Sequence, residues 1–79
     1  MTLDQIAIPD ALRLQVQSIL RDIGEADGVL ELTRLGGIAE GFSLALSCSG
    51  ALPAVGLDAL EHLFNRAIGN RMADLRRAG

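Results

Sequence analysis

The chain has no Trp, Tyr or Lys, only one Cys and one His, and two each of Phe and Pro. One cysteine cannot close an internal disulfide, so no oxidised framework can stand in for a hydrophobic core. A lone Cys and a lone His fall short of the three or four ligands that zinc takes, so neither a metal nor a cofactor is expected. Long apolar runs are also missing, and no stretch approaches a membrane span. The opening segment, Met1 to Pro9, holds Asp4 and no cation, unlike a secretory leader. These absences lead to an expectation of a cytoplasmic protein with no membrane attachment.

Reaction centres fare no better. His62 falls on the expected outer face of the last helix and Cys48 on the expected inner face of a strand, so they do not form a nucleophile pair. Gly36-Gly37-Ile38-Ala39-Glu40-Gly41 lacks the Lys-Ser/Thr ending of a phosphate-binding loop. Gly41-Phe42-Ser43-Leu44-Ala45 stops one residue short of a nucleophile elbow and sits in an alternating segment. No catalytic residue is assigned, and the chain is expected not to be an enzyme.

What is present is aliphatic: fourteen Leu, six Ile and three Val among 79 residues, which is one domain's worth of chain and ample material for a core. A domain of this size buries only about 60% of the surface its unfolded chain exposes. Its stability is therefore marginal, and a partner surface would help it. The net charge is -3, with six acids against two Arg in residues 1–31 and four Arg against one Asp in residues 64–79. An acidic balance disfavours direct nucleic-acid binding, which needs cations to displace counterions.

Three segments are periodic. From Pro9 to Ile23, Leu12, Val16, Ile19, Leu20 and Ile23 gather on one helical stripe, with Pro9 in the first turn and Gly24 as a stop. From Leu57 to Arg77, Leu57, Leu60, Phe64, Ile68 and Leu75 share a narrow arc, with Asp58 and Glu61 placed in the first turn and Arg71, Arg76 and Arg77 in the last. Gly69-Asn70 is a point where this helix could kink. Between the two, Phe42 to Ser49 sets larger apolar residues at even positions and small or hydroxyl residues at odd ones, the period of a half-buried strand. Paired with Val29 to Leu35 across a loop at Gly36 to Glu40, it makes an antiparallel hairpin with Leu32 opposite Leu44. The competing reading is one helix, since Leu32, Leu35, Ala39, Phe42 and Leu46 also run at three and four. Gly36, Gly37 and Gly41 would each cost such a helix about 1 kcal/mol. The hairpin is preferred, giving an α+β fold in α-β-β-α order, with a short third strand from Ala51 to Val55 or the N-terminal arm as an option.

Two charge features are candidate partner-binding sites. Asp22, Glu25, Asp27 and Glu31 place four carboxylates where the first helix ends, against its dipole, which suggests an acidic surface that engages a basic groove. Arg66 with Arg77 and His62 along the outer face of the last helix, and Arg76 at its flank, form the second. A tiny acidic domain with no catalytic group, an α-β-β-α layout and this carboxylate cluster resembles the small phage-encoded anti-CRISPR inhibitors. The resemblance implies a stoichiometric inhibitor that binds a host protein or ribonucleoprotein complex and blocks target DNA access. The basic final helix departs from a uniformly acidic DNA mimic. The alternatives are a self-associating structural module, such as a homodimer, and direct nucleic-acid contact through Arg66, Arg71, Arg76 and Arg77.

Overall fold

The computed structural model describes residues 3–78. A 3-10 turn at Leu3–Gln5 precedes three helices, α1 at Asp10–Gly24, α2 at Val29–Ser49 and α3 at Ala54–Ala78. Links of four residues, 25–28 and 50–53, make successive helices antiparallel neighbours. The register of the second pair is visible in Gly36 beside Ile68 and Phe42 edge-on to Phe64, their ring centroids 6.4 Å apart. The 25 residues of α3 amount to about 37 Å of helix. That length sets the long dimension of a 40 × 21 × 19 Å molecule.

α1 forms as its sequence dictates. Pro9 lies just outside it, where its missing N–H costs nothing, and its carbonyl accepts the N–H groups of Leu12 and Arg13, both at 3.0 Å. Val16, Ile19 and Ile23 are its buried stripe. The preceding arm folds back along it: the Arg13 guanidinium donates to the carbonyls of Leu3 and Ile6, each at 3.0 Å. The arm thereby seats Ile6 and Ile8 in the core beside Leu32, Leu60 and Phe64.

The expected hairpin is absent. Residues 29–49 are one continuous helix, the described residues contain no strand, and the fold is all-α rather than α+β. The optional third strand is absent as well, since Leu3–Gln5 is a 3-10 turn and Ala54 and Val55 open α3. A two-stranded ribbon would have left both edges unpaired, whereas a helix satisfies its backbone groups within itself. Three glycines do cost α2 about 3 kcal/mol together. Leu32, Leu35 and Leu46 offset this, because all three are buried against the other helices and each contributes about 1.5–3 kcal/mol. The one polar residue on that stripe, Ser43, is satisfied locally, its hydroxyl donating to the Ala39 carbonyl at 3.0 Å. Cys48 was expected to face inward and is exposed instead. On a helix it lies across the cylinder from Leu46 rather than beside it.

Gly50 ends α2 in the left-handed region at φ 70°, the one positive φ among the described residues. α3 then starts three residues before the expected Leu57, so Asp58 and Glu61 fall beyond its first turn, which carries no acid. It runs through Gly69 and Asn70 without a break and ends on Arg76 and Arg77, cations at the negative end of its dipole.

Candidate interaction surfaces

The four acids do converge. Asp22, Glu25, Asp27 and Glu31 line one shallow depression of about 280 Å³ around the turn between α1 and α2. The turn has a second partner that sequence reasoning missed. Because residue 29 opens a helix, Glu31 sits in that helix's first turn. There it favours the positive end of the α2 dipole, so part of the cluster serves local stability. Cations are interleaved with it. Arg34 clasps Glu31 through Nε to Oε2 at 3.1 Å and Nη2 to Oε1 at 2.5 Å. This hydrogen-bonded fork holds the Glu31 carboxyl below, and the Arg34 guanidinium above, its ordinary titration range. Arg21 lies 4.0 Å from Asp22. Arg71 reaches across from α3 to donate from Nε and Nη2 to the Ala26 carbonyl at 3.0 and 2.7 Å. Glu25 and Asp27 form no ion pair among the described residues.

Arg66, Arg77 and His62 are all exposed on α3. Eleven positions apart in sequence, the two arginines stand about 16 Å apart on one strip. Arg77 is tied to Asp74 one turn earlier. Arg66 makes no ion pair among the described residues. Arg71 is removed from this group by its bond to Ala26.

A third surface was not anticipated. Six large apolar residues are exposed among those described, and four of them, Val29, Leu30, Ile38 and Leu44, belong to α2. At 100° per residue Leu30, Gly37 and Leu44 fall within about 40° of one another on the side opposite the buried stripe, with Gly41 and Cys48 alongside. All five are exposed. Two charges flank that side, Arg34 and Glu40, each about 60° round the helix from Gly37; both are exposed, and Arg34 is paired with Glu31. Gly37 and Gly41 have no side chain or neighbouring helix within 4 Å of where a Cβ would stand, so nothing inside the molecule requires glycine at either. The signal for this surface was in the sequence: residues 41–57 hold no charged side chain at all.

The cleft between α2 and α3, about 340 Å³, is floored by Gly36, Ala39, Ser43, Phe64 and Ile68 and rimmed by Glu40, Glu61 and Asn65. It brings together two carboxylates and the hydroxyl of Ser43, which is engaged with the Ala39 carbonyl. His62 and Cys48 are both solvent-facing, on different helices. No group of three or more His, Cys, Asp or Glu among the described residues is arranged to hold a metal ion. No helix among them is long and apolar enough to cross a membrane. Neither the sequence nor the fold matches a known protein family, a curated protein or a solved structure.

Proposed function

We propose that the chain is a non-enzymatic, cytoplasmic protein-interaction module. Its contact surface is the outer side of α2, and its partner presents a second apolar helix surface. The observation that carries this reading is the concentration of exposed large apolar residues on α2. A helix that is apolar on both sides belongs between two layers of protein, and the bundle supplies only one. Leu44→Glu places a charge on that surface without touching the core. Captured on beads at matched helicity, this variant should lose the proteins, further copies of the chain included, that the wild type retains. Equal retention would refute the reading.

A second reading keeps the inhibitor character suggested by the acidic turn: a stoichiometric, anti-CRISPR-like blocker of a nucleic-acid-handling complex. The shared depression of Asp22, Glu25, Asp27 and Glu31 favours it. Arg21, Arg34 and Arg71 among those acids weigh against mimicry of a phosphate backbone. Reversing Asp22, Glu25 and Asp27 to Lys should abolish capture at low salt if the acids are the contact, and leave it intact if α2 is.

A further inference from the structure

We infer that the helix surface α2 docks against is α2 of a second copy, in an antiparallel two-fold pair centred on Gly37; this rests on the protein-interaction reading above. The spacing is self-complementary. Leu30 and Leu44 stand seven residues to either side of Gly37, about 10.5 Å along the axis. A two-fold through Gly37 therefore sets Leu30 of each copy against Leu44 of the other and glycine against glycine at the crossing, as an isologous interface requires. With no Cβ at positions 37 and 41, the two backbones can approach closely enough for the leucines to interlock.

Charge fixes the direction. The N-terminal end of α2 adjoins the acidic depression of Asp22, Glu25, Asp27 and Glu31. Its C-terminal end belongs to the charge-free stretch 41–57. A parallel pair would bring two acidic turns side by side. An antiparallel pair separates them by the length of α2, about 31 Å, several times the screening distance of about 8 Å in physiological salt. Each acidic turn then lies over uncharged helix, and the two helix dipoles oppose one another.

Area sets the strength. A 21-residue helix is about 31 Å long and about 10 Å across. Covering a third to a half of its girth removes about 320–490 Å² per copy, or about 650–970 Å² in all, against about 1,200 Å² at the lower end of stable interfaces. The monomer's surface has room for this. It exposes 5038 Å², where a compact chain of its mass exposes about 4,600 Å². The pair is accordingly a weak, concentration-dependent dimer rather than an obligate one.

Sedimentation equilibrium of the full chain from 1 to several hundred micromolar tests this. The mass should rise from 8.3 kDa toward twice that value. L44E should stay at the monomer mass with unchanged helicity. L30E combined with L44K sets opposite charges across the two-fold, so this double variant should dimerise again and do so less well in high salt. Wild type that stays monomeric throughout, or L44E that dimerises as wild type does, overturns the proposal, and a double variant that stays monomeric overturns the antiparallel arrangement. If the wild type is monomeric but L44E still severs capture of a cellular partner, self-association falls and the interaction reading stands; if capture is also intact, both fall.

Discussion

α1 and α2 pack into the same core and present opposite exteriors. α1 shows solvent Gln17, Arg21 and Asp22, with Leu14 as its lone exposed large apolar residue, whereas α2 shows Leu30, Ile38 and Leu44, at 86%, 43% and 63% exposure. The buried stripes are equivalent in kind: Val16, Ile19 and Ile23 on one, Leu32, Leu35 and Leu46 on the other. Stability of the bundle explains the inner sides of both helices and the outer side of α1. It does not explain why α2 keeps leucines in water and glycines at Gly37 and Gly41, where nothing crowds a side chain.

The comparison can be broken most forcefully at the core. Leu60→Ala removes a side chain with no exposed surface and should cost about 2–5 kcal/mol in urea unfolding. Leu44→Ala on the outside of α2 should change the unfolding of the isolated monomer by less than about 0.5 kcal/mol. Equal losses would mean that the exposed leucines hold the monomer together after all. Next in size is Arg71→Ala. It strips the Ala26 carbonyl of both side-chain donors and should lower stability by about 1.5–3 kcal/mol. Faster amide exchange in residues 24–30 than in the middle of α1 would locate the loss at the turn.

Gly41→Ala sharpens the contrast because its sign should depend on concentration. An alanine there meets no neighbour within 4 Å and should stabilise the dilute monomer by about 1 kcal/mol. The added methyl group should at the same time weaken association. Thermal melts at low and high concentration distinguish these two effects. The smallest effect belongs to Glu31→Gln. Arg34 holds the Glu31 carboxyl below its ordinary value through a hydrogen-bonded pair open to solvent. The stabilisation is therefore present above the unfolded-state value and disappears as the pH falls through the folded one. Wild type and variant should differ slightly at pH 7, less in high salt, and not at all in acid.

α1 and α3 were legible because polarity alternates around them with the helical period: Arg13, Gln17 and Arg21 mark one exterior, and His62, Arg66 and Arg77 the other. α2 has no such mark. With Leu44 and Cys48 outside and Ser43 inside, residues 42–49 fit a strand as well as a helix, and the glycines argued for the wrong alternative. The stripe Leu32, Leu35, Ala39 and Leu46 was visible in the competing reading and is buried as that reading required. The acidic residues were found, but their setting was not, since the role of Glu31 at the start of α2 depends on a helix the hairpin reading had removed. The apolar exterior went unnoticed for the same reason: a face opposite Leu46 exists only once that segment is helical.

The left-handed backbone at Gly50 has one more consequence. It turns the chain through a link of four residues, so that α3 lies back on the α2 it came from. Opened out at this link, the chain would deliver α3 to a neighbouring molecule, exchanging segments between chains. A bulky β-branched residue at this position resists the bend and should promote such swapped species. One dihedral angle thus decides whether each polypeptide completes its own bundle or borrows from the next.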